Sequence, residues 1–177
     1  MIETDRLILR AWRPGDASGH RQLVTDPRVI PSLGRPPTAA VSRTVVGRQN
    51  DHLAAHGYCF WAVEERASRS FIGWCGFQIG KPPLKGQVEI GWSLLPSRWG
   101  RGYAREGAEA SLAWAWRHTR LRNVVAITTP GNVRSWSLME RLGMTRHVEE
   151  DFDHPDLRVG DRLSRHILYR IARPDGA

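Results

Sequence analysis

Arg98-Trp99-Gly100-Arg101-Gly102-Tyr103-Ala104-Arg105 stands between a run that reads as a strand, Gln87 to Leu94, and a run that reads as a helix. Its two glycines, one alanine and three arginines describe a turn suited to an anion. Glycines let successive backbone N–H groups point one way, and the N-terminus of the next helix adds unpaired donors and about half a positive charge. The same residues also suit a plain strand-to-helix turn with solvated arginines, so the surrounding sequence has to decide. A P-loop would end in Gly-Lys followed by Ser or Thr, whereas Gly102 is followed by Tyr103 and Ala104. A dinucleotide fingerprint would want a small residue at Arg105 and an acid about twenty residues on, where Arg120 and Arg122 stand. What remains is a pyrophosphate ligand held by backbone amides, ringed by arginine, with no required metal.

Outward from the turn, the chain alternates between strand and helix. Downstream, Ala104, Ala108, Leu112, Ala115 and Thr119 recur at helical spacing and form a narrow small-residue face that can lie close on a sheet. Val124 to Thr128 reads as a strand buried on both faces. Pro130-Gly131-Asn132 turns into a last helix carrying Leu138 and Leu142 and stopping at Gly143, and strands Met144 to Val148 and His166 to Ile171 close the chain. Upstream, Leu7 to Trp12 is a first strand, and Asp16 caps a helical region after Arg13-Pro14-Gly15. Thr38, after Pro36-Pro37, caps a second helix with Val41, Val45, Gln49 and Leu53 along one stripe until His56-Gly57. Cys59 to Glu64 and Phe71 to Phe77 form an antiparallel hairpin, and the Gly80 to Gly86 loop leads to the strand before the turn. The expected fold class is α/β (α+β), one domain over 1–173, with 174–177 a disordered tail.

Composition narrows the function. With 41% hydrophobic and 25% charged residues among 177, the chain can bury a real core, and no apolar run reaches the length of a membrane span. Met1 to Leu7 carries acids where an export signal wants basic residues and a long apolar stretch, so a cytoplasmic location is expected. Cys59 and Cys75 lie in strand runs without metal or redox spacing and are expected to be buried thiols. The formal net charge of +8 raises nucleic acid as a partner. The basic residues are spread along the whole chain with no basic helix, which disfavours it. His52 and His56 lack the glutamate of a zinc protease helix, so no metal is expected.

Four pieces in order, Val88-Glu89-Ile90-Gly91-Trp92, Trp99 to Ala104, Asn132-x-x-Ser135 and Arg141-Leu142-Gly143-Met144, resemble the GCN5-related N-acetyltransferase superfamily in its RimJ/RimL-like branch. The resemblance covers nearly the whole chain. It implies a mixed, mostly antiparallel sheet of about seven strands, splayed between the fourth and fifth, with acetyl-CoA as cosubstrate and a primary amine as acceptor. The acceptor would be a protein N-terminus or a small amine such as a polyamine or drug, with homodimerisation open. The family's phosphate signature, Gln/Arg-x-x-Gly-x-Gly/Ala, falls on Trp99, Gly102 and Ala104, with Trp99 departing from the usual first residue. Amides of Gly100, Arg101, Gly102, Tyr103, Ala104 and Arg105 would hold the pyrophosphate, with Arg101 or Arg105 adding charge. Backbone of Ser93, Leu94 and Leu95 would pair with the pantetheine arm, one N–H polarising the thioester carbonyl.

Glu89 is the expected general base, since a strand carboxylate facing the thioester can take the amine's proton directly or through water. Alternation puts it on the face of Gly91 and Ser93, opposite Val88, Ile90 and Trp92. A salt-bridged surface carboxylate is the alternative. Asn132 and Ser135 share a helix face; the resemblance assigns both to the cofactor, and a plain N-cap with a first-turn serine is the alternative. Relatives place a tyrosine on this helix to protonate the leaving thiolate, but Met139 occupies that position, which leaves Ser135 or water. The acids Glu149, Glu150, Asp151, Asp153 and Asp156 either draw a cationic amine or form a solvated loop. Trp61, Trp74 and Trp92 read as core. Two other classes compete: a CoA-binding sensor without catalysis, suggested by Met139, and a nucleic-acid module relying on the net charge.

Overall fold

The computed structural model describes residues 1–33, 38–84, 86–158 and 160–176. Pro36-Pro37, read as the approach to the Thr38 cap, and Ala177 of the expected tail lie outside the described residues. In chain order the elements are β1 (Ile2–Glu3), β2 (Leu7–Arg10), α1 (Asp16–Thr25), α2 (Ile30–Leu33), α3 (Ala39–His56), β3 (Phe60–Glu65), β4 (Ser70–Ile79), β5 (Val88–Leu94), α4 (Tyr103–His118), β6 (Asn123–Thr128), α5 (Val133–Arg141), β7 (Thr145–Arg146), β8 (Phe152–Asp153) and β9 (Arg165–Ala172). Strand order is β1-β2-β3-β4-β5-β6-β9-β7, with β8 beside β9, in one open, mostly antiparallel sheet. All seven strands expected from the pattern are present. The two additions, β1 and β8, are two residues each and too short to show alternation. Two compact units are distinguished: Met1–Gln78 with Gly91–Trp114, and Ile79–Ile90 with Ala115–Ala177.

In the first unit β1 to β4 form an antiparallel ladder, with Ile2 opposite Leu9, Leu9 opposite Val63 and Val63 opposite Gly73. Leu7, Leu9, Ala62, Ile72 and Phe77 are fully buried, as their apolar alternation requires. Thr38 caps α3 as expected, its hydroxyl accepting from the Val41 amide, and Gly57 ends the helix in the left-handed conformation. The stripe of α3 is only partly apolar, since Val41 is exposed while Val45 packs on Trp12 and Ala62. Gln49 and Asn50 tie the helix to the strands instead, bonding the Phe60 amide and both backbone groups of Trp12.

Asp16 differs from its expected role: Gly15 is the N-cap of α1, and the Asp16 carboxylate accepts two bonds from the Arg10 guanidinium, at 2.7 and 3.0 Å. Arg10 is buried on β2 and also bonds Glu64, which is 1% exposed, so a buried cation is matched by two carboxylates. Helix α4 lies close on the sheet as its small face predicts. A Cβ at Gly107 would sit 3.6 Å from Cys75 Sγ and 3.7 Å from Leu7 Cδ1. Cys59 and Cys75 are buried free thiols, each pushed up to about 12 by loss of solvation.

In the second unit β5 pairs in parallel with β6 at Glu89 opposite Val125, and β6 pairs antiparallel with β9 over six positions, Asn123↔Ala172 to Thr128↔Ile167. That single β5–β6 position agrees with the expected parting of the fourth and fifth long strands. Val124, Val125 and Ala126 are fully buried, as the unbroken apolar run predicts, and Leu84, Val125 and Leu168 form a core against Ile127 and Phe152. Helix α5 stops where expected: Gly143 is left-handed, its amide bonds the Glu140 carbonyl, and the Met144 amide bonds that of Met139.

Candidate active site

The phosphate turn belongs to the first unit. Beyond β5, Pro96–Arg98 makes one 3-10 turn, and the chain then passes through Gly100 (φ 74°) and Gly102 (φ 79°) into α4. Both glycines adopt a backbone that other residues reach only at a cost of about 1–2 kcal/mol. The first bond of the helix runs from the Glu106 amide to the Gly102 carbonyl, so the amides of Tyr103, Ala104 and Arg105 precede it and have no partner within α4. No atom lies within 4 Å of a Cβ built at Gly100, and Gly100, Arg101 and Gly102 are exposed. Donors at a helix N-terminus, open space above the turn and the exposed Arg101 guanidinium fit a pyrophosphate. Arg105 is instead paired with Glu109 at 2.7 Å along the helix surface.

The turn is braced from below. Trp99 donates its indole N–H to the Leu94 carbonyl at 2.7 Å, which gives the departure from the family's usual residue a local structural role. Tyr103 donates to Glu65 Oε1 at 2.8 Å, and Arg98 and Ser68 bond Glu65 Oε2 at 3.1 and 2.6 Å. The bonds from Ser68 and Tyr103, with the Arg98 charge, hold the Glu65 carboxyl below the usual carboxylate range. Just past β5 the Leu95 amide bonds the Ile72 carbonyl at 2.8 Å, so Ser93 and Leu95 turn their backbone toward β4, and alternation turns the Leu94 N–H to the opposite edge.

The residues assigned to chemistry belong to the second unit. Glu89 is half-buried on β5 between buried Val88 and Ile90, the alternation expected for it. Asn132 is the N-cap residue of α5, but its side chain does not cap; Nδ2 donates to Thr128 Oγ1 at 2.9 Å, reaching back to the end of β6. Ser135 lies in the first turn, half-buried, its amide bonded to the Asn132 carbonyl at 3.0 Å. Among the described residues the Ser135 hydroxyl makes no hydrogen bond. Met139, one turn on, is 1% exposed and packed in the core.

Residues 6–145 match the family model described as an acetyltransferase (GNAT) domain. The chain belongs to the GNAT acetyltransferases. It is 28% identical over 173 residues, 96% of each chain, to the uncharacterized N-acetyltransferase p20 of Bacillus licheniformis. An acetyltransferase from Agrobacterium tumefaciens str. C58 superposes with a TM-score of 0.77 at 27% identity, covering 96% of this chain and 92% of that one. The fold is also that of RimL, a ribosomal L7/L12 alpha-N-protein acetyltransferase solved in complex with coenzyme A, with a TM-score of 0.76 at 20% identity over 96% of this chain and 95% of that one. Membership in GNAT makes this chain an acyltransferase with acetyl-CoA as donor.

Two sequence readings change in the GNAT structure. Three acids of the segment are paired with the chain's own arginines, Asp151 with Arg146 and, at 3.8 Å, with Arg165, Asp153 with Arg165, and Glu150 with Arg170 at 2.5 Å, while Glu149 lies 3.2 Å from the His147 ring. A visiting ammonium would have to compete with those partners, so the charge run loses most of its pull. Trp61 is core at 2% exposure, whereas Trp74 and Trp92 are only half-buried. A cavity of about 410 Å³ in the second unit opens over Trp136, Glu140, Arg146, Asp151 and Tyr169, with Tyr169 bonded to Glu140. His147, Glu149 and Glu150 bring ligand-type atoms within 4.8 Å of one another, but Glu150 is held by both oxygens on Arg170. Among the described residues no helix is long and apolar enough to cross a membrane. The braces Thr4, Arg6, Glu65 and Glu106 carry no motif signal of their own, because their partners are as many as 102 positions away.

Proposed function

We propose that this chain transfers the acetyl group of acetyl-CoA to a primary amine by direct attack, with residues 1–173 acting as one N-acetyltransferase domain. The observation that carries the reading is the turn at Gly100 and Gly102, left-handed at both glycines and opening into the unclaimed amides of α4. Bound acetyl-CoA supplies an activated acyl group. Amides from Gly100 to Arg105 hold its pyrophosphate, with Arg101 adding charge. The β5 backbone at Ser93 to Leu95 aligns the pantetheine arm, and the Leu94 N–H, turned away from β4, donates to the thioester carbonyl, which favours the transition state by a few kcal/mol. Asn132, held on Thr128, contributes to the cofactor site from the start of α5 as the family resemblance implies.

Glu89 takes the proton that leaves the amine as the C–N bond forms. Ser135, whose hydroxyl makes no hydrogen bond among the described residues, relays a proton from water to the departing thiolate, or water delivers it directly, a task Met139 has no group to perform. The acceptor is a protein α-amine or a small amine, and both classes stay open because the fold is shared by RimL, named for a protein N-terminal substrate, and by a spermidine N-acetyltransferase. Release of free thiol from acetyl-CoA, followed across peptides with free N-termini and a set of small amines, tests the reading. Turnover on members of one class only identifies the acceptor. Tight acetyl-CoA binding with no thiol release across both sets would instead establish a sensor.

A further inference from the structure

The phosphate turn has an electrostatic difficulty at its base. Glu106 lies in the first turn of α4, where an ionised carboxylate stabilises the helix but opposes an anion bound at the same end. Its side chain is only 18% exposed, and despite that burial its bonds to Thr4 and Arg6 hold the carboxyl below the usual range, so it is charged at neutral pH. The partners all come from the segment just before β2. Arg6 donates Nε to Glu106 Oε2 at 2.6 Å and its backbone amide to Oε1 at 3.1 Å, Nη2 pairs with Oε2 at 2.5 Å, and Thr4 donates its hydroxyl to Oε1 at 2.5 Å.

The same guanidinium reaches the turn itself. Nη1 donates to the Arg101 carbonyl at 2.9 Å, the group lies 4.7 Å from the centre of the Tyr103 ring, and Nη2 would be 3.4 Å from a Cβ at Gly102. One side chain therefore neutralises the opposing carboxylate and holds a carbonyl between the two left-handed glycines, which keeps that oxygen turned away from the amide donors. Each of the three guanidinium nitrogens makes a bond within the protein, which fixes the group against the turn.

We propose that Arg6 is a positioning residue for acetyl-CoA: it cancels the Glu106 charge beneath the phosphate turn and fixes the Arg101 peptide so that the α4 amides face an anion unopposed. This rests on the acetyl-CoA reading of the turn. The test is calorimetry with acetyl-CoA on the full chain, with melting curves and initial rates, for Arg6→Met, Arg6→Lys, Glu106→Gln and the double variant Arg6→Met/Glu106→Gln. Arg6→Met weakens acetyl-CoA binding about tenfold and raises its KM equally, with kcat at saturation within about twofold. Adding Glu106→Gln recovers most of that loss, a rescue that a purely structural brace does not allow, since removing both partners of a brace leaves it broken. Arg6→Lys, which keeps the charge, stays within about threefold. Unchanged binding by Arg6→Met, a double variant no better than Arg6→Met, or an Arg6→Lys loss as large as tenfold each overturns the proposal. If Arg6→Met does not fold, the Arg6→Lys result decides. A wild-type chain that fails to bind acetyl-CoA overturns the reading of the turn and is distinct from all of these.

Discussion

The two helix starts assigned to the cofactor are built differently. The start of α4 is held from several directions: Arg6 on the Arg101 carbonyl, Trp99 on Leu94, and Tyr103 and Arg98 on Glu65. The start of α5 is held differently, by Asn132 on Thr128 and the Trp136 indole on the Pro130 carbonyl, and among the described residues the Ser135 hydroxyl stays uncommitted. A phosphate is bound by several weak, fixed dipoles, so its site gains affinity from every degree of freedom removed beforehand. A proton donor has a different need, because its hydrogen must be free to turn toward the leaving group. The difference divides the expected phenotypes: changes in the turn should move acetyl-CoA affinity, and changes at Glu89 and Ser135 should move the rate.

The largest effect expected is that of Gly102→Glu. The substitution adds backbone strain at φ 79° and a carboxylate on a Cβ that would stand 3.4 Å from Arg6 Nη2, which would compete for the guanidinium and repel the phosphates. Calorimetry should show no measurable acetyl-CoA binding, with the circular dichroism of a folded chain retained; wild-type affinity would move the cofactor elsewhere. Next comes Glu89→Gln, expected to lower kcat by roughly 10²–10⁴-fold with acetyl-CoA affinity unchanged. The pH–rate profile is the sharper reading, since the acidic limb should vanish with the carboxylate. A variant that weakened binding as strongly as turnover would erase the division between the two regions.

A smaller loss, about tenfold in kcat, is expected for Ser135→Ala, while Met139→Leu should stay within about twofold because the side chain only packs. Equal rates for Ser135→Ala and the wild type would return the proton to water and make the uncommitted hydroxyl incidental. The smallest effect concerns stability. Burial lowers His20 from 6.5, with the Arg48 charge adding to it, and burial lowers His166 likewise despite its bond to Ser164. In both cases the unfolded chain takes up the proton first, so this stability is fully present above about pH 6.5 and is lost as pH falls below it. Glu64, Glu65 and Glu106, all held below 4.5, lose their contribution only at lower pH. Melting between pH 7.5 and 5.0 should therefore report the histidines, a fall of about 2–4 °C for each kcal/mol lost. His20→Gln should flatten the slope more than His166→Gln, since among the described residues His20 Nδ1 has no hydrogen-bond partner to soften its burial.

Local patterns were enough for much of the architecture. Apolar alternation marks β3 to β5, the unbroken run Val124 to Thr128 marks a strand buried on both faces, and Thr38, Gly57 and Gly143 mark helix ends, because each depends on residues within a turn or two. The glycine turn was legible for the same reason: two left-handed positions before a helix need only neighbouring backbone. Pairings across long separations left no such trace. Asp16 is a sound cap by its position, yet the sequence holds no sign that Arg10 is buried and needs two carboxylates. Glu149 to Asp156 reads equally as an acidic lure or a solvated loop, and only β7 and β9 bring Arg146, Arg165 and Arg170 beside it. Glu106 looks like a helpful first-turn acid, and only the folded chain brings Thr4 and Arg6 against it. Residue order alone was sufficient for the longer strands and helices and for the glycine turn, since those follow from short-range backbone geometry, while the class of chemistry came from the resemblance to the GNAT family. Which charges are cancelled, which hydroxyl stays uncommitted and what holds the turn rigid follow from three-dimensional proximity, because electrostatic pairing depends on distance in space and not on distance along the chain.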